Sequence, residues 1–145
     1  MTPFLLHDPI RAFLSAPGRF ATLATLDPDG SPRQAVVWYR LDADGRITVN
    51  SAHGRRWPAN LRRDPRCSLA VHDGADGYAF VALVGRVDET IDDQGVAQAD
   101  IAAFARLYHA DDPAKAERLI TNRFRTQQRV SFRIEILAAH DHLED

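Results

Sequence analysis

Residues 53–66 read HGRRWPANLRRDPR and lie between two segments, Arg46–Ser51 and Arg66–His72, whose residues alternate as in β-strands. The stretch predicts a short helix. Pro58 suits the first turn, where its missing N–H costs nothing, and Pro65 ends the helix because the residue before a proline is disfavoured in the α region. Five arginines here place guanidinium groups beside the unpaired N–H groups of a helix start. The stretch therefore predicts an anion site, with a solvated arginine-rich helix as the plainer alternative.

The charge of the chain is concentrated rather than large. The formal net charge is −2 over 145 residues, yet residues 33–66 hold eight arginines and three aspartates, a local balance of +5. The remaining residues therefore carry −7. One basic segment in an acidic chain favours a small, localised anionic ligand, since a nucleic-acid surface usually makes a whole domain basic. We therefore expect no nucleic-acid partner.

The composition is typical of one globular domain spanning residues 1–145. Hydrophobic residues make up 45% of the chain, which is long enough for an independent core. No stretch approaches the roughly 20 apolar residues that span a membrane, and residues 1–8 lack a signal-peptide pattern. The single cysteine, Cys67, falls on an apolar strand face and is expected to be a core residue. We expect a cytoplasmic protein without membrane association.

Alternating segments separated by turns predict a mainly β fold. Six antiparallel strands are expected, at Phe20–Leu26, Gln34–Leu41, Arg46–Ser51, Arg66–His72, Tyr78–Val87 and Val130–Leu137. Short helices are expected near the start, capped by Asp8, from Asp92 or Asp93 to about Tyr108, and from Asp112 onward. The first three strands should form a meander. Closure of the sheet into a small barrel would remove its exposed edges.

The sequence contains few signals for metal binding or nucleophilic catalysis. His140 and His142 flank Asp141 near the C-terminus, but a frayed terminus explains them more simply than a metal site. The chain has no P-loop, no nucleophile elbow and no cysteine pair. The sequence therefore predicts neither a metal site nor a catalytic dyad.

Three stretches carry a resemblance to a known family: ATLATLDPDGSP (residues 21–32), GRRWPANLRRDPR (residues 54–66) and VGRV (residues 84–87). Together they resemble the pyridoxamine phosphate oxidase-like split β-barrels, and the second stretch resembles the phosphate-binding segment of that family. The likeness runs from about Phe13 to His140. Within the superfamily, the chain most resembles the small proteins that bind the deazaflavin coenzyme F420.

The resemblance implies a homodimer of split β-barrels, with a flavin-type ring in a groove at the dimer interface. The residues that it assigns to the cofactor are Val36, Val37, Trp38, Ser51, Arg55, Arg56, Trp57 and Asn60. The first three would line the ring, largely through backbone groups. Arg55 and Arg56 would hold the phosphate, with Ser51 and Asn60 as lesser polar contacts. Trp57 stands where many relatives carry a lysine, and it is expected to stack on the cofactor or pack against the partner subunit.

The implied activity is that of an oxidoreductase. Reduced F420 would transfer a hydride to a small organic acceptor, such as an activated alkene or imine. Such chemistry requires no acid from the protein, and His53 is a weak candidate proton donor. FMN is the alternative cofactor, because both cofactors use the same groove. The +5 segment favours F420, which carries a phosphodiester and several carboxylates. A non-catalytic protein that stores or shields a flavin or another anionic ligand is the other alternative.

Overall fold

The computed structural model describes residues 4–143. Within this range seven strands form one antiparallel sheet: β1 (Ala21–Leu26), β2 (Pro32–Val37), β3 (Arg40–Leu41), β4 (Ile47–Ala52), β5 (Arg66–His72), β6 (Phe80–Ile91) and β7 (Arg129–His142). The α-helices of the same range are α1 (Asp8–Ser15), α2 (Arg56–Arg63), α3 (Gln94–Tyr108) and α4 (Pro113–Asn122). The mainly β fold is confirmed, with seven strands rather than six. None of the helices in this range is long and apolar enough to cross a lipid bilayer.

The additional strand arises because the predicted strand Gln34–Leu41 is broken by two residues, Trp38 and Tyr39. The Tyr39 side chain is buried, and its hydroxyl donates to the Leu14 carbonyl at 2.8 Å. Its backbone N–H donates to the Tyr108 hydroxyl at 3.2 Å. These contacts with α1 and α3 replace strand pairing at this point. The predicted three-strand meander is therefore wrong, and two hairpins, β1–β2 and β3–β4, take its place.

The same break makes the sheet curl. The strand order β2-β1-β5-β6-β7-β4-β3 puts β2 and β3 at opposite edges of the sheet. Only two residues connect these edges, and such a connection spans at most about 11 Å. The sheet must therefore curl into a half-barrel whose two edges approach each other. Within residues 4–143, β2 and β3 do not pair with each other, so the closed barrel expected from the sequence is a half-barrel.

The concave side of the sheet holds the main hydrophobic core. On β5, Cys67, Leu69 and Val71 face inward and alternate with exposed residues, as predicted. Burial raises the pKa of the Cys67 thiol to about 12, which keeps it protonated and agrees with a core role. A second apolar cluster, which includes Phe104 and Ile120, joins α3 to α4. Both helices therefore form one unit that packs beside the sheet.

Helix α2 confirms the prediction made from the central stretch. It runs from Arg56 to Arg63, carries Pro58 in its first turn and ends before Pro65. Gly54 links β4 to α2 with a φ of +90°, a conformation that glycine adopts without a steric penalty. This turn places Arg55 at the start of the helix.

Two predictions about the ends of the chain are wrong. The N-cap of α1 is His7, and Asp8 lies in the first turn, where its negative charge favours the helix N-terminus. The C-terminal histidines are not frayed, because β7 runs to His142 and pairs with β6. The His142 ring also stacks on Phe80, with centroids 5.5 Å apart.

Candidate functional site

Two clefts meet at Arg55, where β4 leads into α2. The inner cleft has a volume of about 280 Å³ and lies between the ends of β2 and β4 and the helices α3 and α4. The outer cleft has a volume of about 570 Å³ and lies between the β1–β2 turn and α2. Because Arg55 lines both clefts, its guanidinium can reach ligand groups in either.

All eight residues predicted to contact a cofactor line one or both clefts. Those lining the inner cleft are Val36, Val37, Trp38, Ser51, Arg55 and Trp57. Those lining the outer cleft are Arg55, Arg56 and Asn60. The curl of the sheet brings them together by placing the edge strand β2 near the end of β4. Their contacts with a cofactor remain predictions. His53 lines neither cleft, and its Nε2 lies 3.1 Å from the Asp92 carboxylate.

Most arginines of the basic segment are already paired. Those that form salt bridges with an acidic side chain are Arg33, Arg40, Arg46, Arg62 and Arg66. Arg63 donates instead to the Leu26 carbonyl and to the Asn60 side chain. Among residues 4–143, Arg55 and Arg56 have no carboxylate within salt-bridge distance. The +5 balance therefore overstates the positive charge open to a ligand, and the preference for F420 over FMN remains a prediction.

The Asn60 side chain is committed within the fold. It is 1% exposed, and its Nδ2 donates to Thr25 Oγ1 at 3.0 Å and to Asp27 Oδ1 at 2.9 Å. The hydrogen bond from Asn60 holds the pKa of Asp27 below its usual range, so this carboxyl is ionised at neutral pH. Asp27 also lines the outer cleft. An anion in the outer cleft is therefore favoured only on the side formed by Arg55 and Arg56.

Aromatic rings form one wall of the inner cleft. Trp38 stacks on Tyr108, with centroids 5.1 Å apart and 7° between the ring planes, and meets Phe124 edge-on at 6.3 Å. Trp57 is 8% exposed and packs against Phe132 at 6.0 Å. Trp57 therefore belongs to the core while also lining the cleft. Such a wall suits a planar, largely apolar ligand.

Seven residues that line the inner cleft were not predicted, and three of them are polar: Asn50, Arg123 and Arg129. Arg129 is the first residue of β7 and is 5% exposed. Its Nε donates to Asn50 Oδ1 at 3.0 Å, and its Nη1 donates to Gln127 Oε1 at 2.7 Å. Burial, together with repulsion from Arg55 and Arg123, lowers the pKa of Arg129 to about 10, so it is still charged at neutral pH. No motif or spacing links these positions to the central stretch. The one available signal was an arginine at the start of a strongly apolar strand.

The family model described as pyridoxamine 5'-phosphate oxidase matches residues 6–139. The chain belongs to this family. The match spans every strand that builds the two clefts, from β1 into β7.

Solved structures with the same fold include proteins named for different ligands. An F420 reductase has a TM-score of 0.73 and 19% identity, covering 93% of this chain and 98% of that one. A conserved hypothetical protein from Mycobacterium tuberculosis has a TM-score of 0.71 and 23% identity, covering 97% of this chain and 86% of that one. The heme storage protein HutZ from Vibrio cholerae has a TM-score of 0.63 and 15% identity, covering 92% of both chains. At these identities the likeness shows the fold alone.

Two features of the inner cleft fit an anionic ligand with a flat ring. The Ser51 hydroxyl is buried without a hydrogen-bond partner among residues 4–143, although buried polar groups normally have one. Arg55, Arg123 and Arg129 line the cleft, and its described lining contains no carboxylate. A buried charge without a counter-ion is costly. A ring cofactor carrying a phosphate, as the resemblance implies, would supply a hydrogen-bonding partner for Ser51 and a negative charge for Arg55, where the two clefts meet.

Proposed function

We propose that the protein is an oxidoreductase that uses reduced coenzyme F420 to transfer a hydride to a small organic acceptor, such as an activated alkene or imine. The observation that carries this proposal is the junction of the two clefts at Arg55. Arg56 stands beside it, and neither arginine forms a salt bridge within residues 4–143. Membership of the family and the likeness to an F420 reductase support the proposal.

In this proposal each side of the junction has its own role. Arg55 and Arg56 bind the phosphate through charge-assisted hydrogen bonds, and the first N–H groups of α2 add to this attraction. Val36 and Val37 offer backbone groups of the edge strand to the ring, and Trp38 closes that side of the cleft. The bound cofactor supplies the hydride. The chain holds ring and acceptor in contact and excludes water from the inner cleft.

The protein is expected to leave the proton to solvent. His53 lies outside both clefts and faces the Asp92 carboxylate, which Arg62 also binds. The carboxyls of the outer cleft are ionised at neutral pH. A hydrogen bond from Asn60 lowers the pKa of Asp27, and one from the Ser31 backbone lowers that of Asp29. None of these groups is a suitable general acid.

A second candidate is an FMN-dependent oxidoreductase. The pairing of the arginines favours it, because little unpaired positive charge remains near the outer cleft for a coenzyme with several carboxylates. A non-catalytic ligand store is the third candidate, since the fold also occurs in a heme storage protein.

Titration with both cofactors tests these candidates. We expect F420 to change its fluorescence on binding and to raise the apparent stability of the protein, because it binds only the folded state. FMN should bind more weakly, and reduced F420 should be oxidised when an enone or imine is added. Binding of FMN alone would support the second candidate and overturn the first. F420 binding without turnover across the acceptor panel would support storage, and binding of neither cofactor would overturn the first two candidates.

We also propose that two copies of the chain form a homodimer through the convex face of the sheet. A groove of about 300 Å³ crosses β1, β5, β6 and β7 and is lined mainly by small side chains, such as those of Ala24, Ser68, Ala70, Ala82 and Ala138. Small side chains allow a second sheet to approach closely. The family resemblance implies a homodimer with cofactor sites at its interface, and its assignment to this face is our proposal.

Sedimentation should give twice the 16.2 kDa mass of one chain. Ala70→Arg places a large charged side chain on this face, and we expect it to shift the protein to monomer because the charge would be desolvated in the interface. Ala103→Arg is the matched control, since Ala103 is an exposed residue of α3. A monomeric wild type, or dimers of equal strength in both variants, would overturn the proposed interface.

A further inference from the structure

The inner cleft contains a buried cation that the fold does not neutralise. Arg129 is 5% exposed, lines the inner cleft and forms no salt bridge within residues 4–143. An arginine this deeply buried is expected to pair with a carboxylate, because an unpaired charge loses its hydration without compensation. Arg133 illustrates the rule, since its Nη1 lies 2.7 Å from the Asp100 carboxylate. Arg129 has only neutral partners.

The surrounding hydrogen bonds hold the Arg129 guanidinium in a defined position. Asn50 accepts from its Nε, and Gln127 accepts from its Nη1. The Asn50 amide is itself fixed, because its Nδ2 donates to the Ala97 carbonyl at 2.9 Å and to Ser131 Oγ at 2.9 Å. The Gln94 side chain binds the Arg129 backbone twice. Its Oε1 accepts from the Arg129 N–H at 2.9 Å, and its Nε2 donates to the Arg129 carbonyl at 2.8 Å. The Nη2 group has no hydrogen-bond partner in the described chain, so a donor is left for a ligand.

The charges around the inner cleft all favour an anion. Arg55 and Arg123 are exposed residues of the cleft, and both act on Arg129 strongly enough to lower its pKa. The described lining of the inner cleft contains no aspartate or glutamate, whereas the outer cleft contains Asp27 and Asp29. Exposed cations at an opening attract an anion, and a buried one binds it where water no longer screens the charge.

The rest of the inner cleft is apolar and small. Ile101, Phe104 and Leu119 line it beside the aromatic wall, and its volume is about 280 Å³. The Arg129 guanidinium lies over the Phe124 ring, 5.0 Å from the ring centroid, so the cation and the apolar surface are adjacent.

We infer that the inner cleft binds the acceptor, and that this acceptor is a small, flat organic compound carrying a carboxylate, which Arg129 holds with help from Arg123. This inference rests on the proposed oxidoreductase function, with the cofactor phosphate assigned to Arg55 and Arg56. The protein therefore has two anion subsites with different tasks. One anchors the cofactor at the junction of the clefts, and the other orients the acceptor at the start of β7.

Cinnamate and its neutral analogue cinnamamide separate charge from shape. Binding to the cofactor-free protein can be followed by calorimetry or by the fluorescence of Trp38 and Trp57, which line the cleft. We expect cinnamate to bind at least about tenfold more tightly than cinnamamide, and Arg129→Gln to remove this difference. Arg129→Lys keeps the positive charge and should retain part of the difference in affinity between cinnamate and cinnamamide. Equal affinity for the two probes in the wild-type protein would overturn the inference.

Two further variants keep the test decisive if Arg129→Gln folds poorly. Arg123→Gln changes an exposed residue and should weaken the binding of cinnamate several-fold, with no effect on the binding of cinnamamide. Arg106→Gln is the matched control, because Arg106 is exposed and paired with Glu117 outside the cleft. If neither Arg123→Gln nor Arg129→Gln affects cinnamate more than the control does, the inference is overturned.

F420 affinity distinguishes the acceptor subsite from the cofactor site. Arg129→Gln should leave the affinity for F420 within about twofold of wild type. Arg56→Ala should weaken F420 binding and leave cinnamate binding unchanged. If Arg129→Gln weakens F420 as strongly as Arg56→Ala does, the cleft holds an anion of the cofactor and the inference fails. If cinnamate binding depends on Arg129 but F420 does not bind at all, the carboxylate subsite stands and the proposed cofactor fails.

Discussion

Replacing Arg55 and Arg56 together by alanine is expected to weaken F420 binding at least about 100-fold. Both guanidinium groups stand at the junction of the two clefts without a carboxylate partner in residues 4–143. Each can therefore donate hydrogen bonds to a phosphate, and a hydrogen bond to a charged group contributes about 1.5–3 kcal/mol. Fluorescence titration of wild type and double variant measures the change.

The control for this prediction removes the same charge from the same segment. Arg62→Ala with Arg66→Ala also takes away two guanidinium groups, but Arg62 is paired with Asp92 and Arg66 with Asp64. We expect this variant to lose less than about fivefold in F420 affinity, because only long-range electrostatics would change. Similar losses in both double variants would mean that overall charge, and no specific pair of arginines, governs binding. An unchanged affinity in the first variant would exclude Arg55 and Arg56 from the phosphate site.

Replacing Asp100 by asparagine is expected to lower the free energy of unfolding by about 3 kcal/mol. Asp100 is 7% exposed and accepts hydrogen bonds from Ser131 Oγ at 2.7 Å, Arg133 Nη1 at 2.7 Å and Arg40 Nη2 at 3.2 Å. Asparagine keeps the shape of the side chain but removes the charge that compensates two guanidinium groups. Urea unfolding followed by tryptophan fluorescence measures the loss.

The control for Asp100 is an ion pair of the same kind on the surface. Glu117→Gln breaks the pair between Arg106 and Glu117, whose side chains are more than half exposed. Water solvates both charges there, so we expect no measurable change in stability. A loss of equal size in the two variants, or none in Asp100→Asn, would show that the network around Asp100 does not stabilise the fold.

The Asp100 substitution should also change how stability depends on pH. Burial alone would raise the pKa of Asp100, but hydrogen bonds from Ser131 and Arg133 and the charges of Arg133 and Arg40 outweigh it, and the pKa is lowered. Folding therefore favours the ionised form. Its contribution is present above the unfolded pKa of about 3.9 and is lost as the pH falls through the folded pKa. The stability difference between wild type and Asp100→Asn should consequently shrink in acid.

Asp100 also connects the core to the candidate site. Its carboxylate binds the Ser131 hydroxyl, which accepts from Asn50, and Asn50 in turn accepts from Arg129. This chain of hydrogen bonds explains how a buried cation can be held in place without an adjacent carboxylate. We therefore expect Asp100→Asn to affect cinnamate binding as well as stability, whereas Glu117→Gln should affect neither.

The sequence predicted the elements of the fold better than their arrangement. Alternation identified β5 and the first part of β7, and Pro58 and Pro65 bounded α2, because these signals act over a few residues. The break at Trp38 and Tyr39 was not predictable, since it depends on contacts with α1 and α3. That break determines the curl of the sheet, and the curl in turn brings the predicted site residues together.

Local sequence signals predicted most of the strands, helix α2 and, through three short stretches, the family and the position of the candidate cofactor site. Which arginines are left for a ligand depends on the folded chain. A charge is neutralised by whatever lies within about 4 Å in space, and the partner of Arg62 is Asp92, 30 residues further along the chain. For the same reason Arg129 joined the site only after folding, when β7 paired with β4 and placed it beside Asn50.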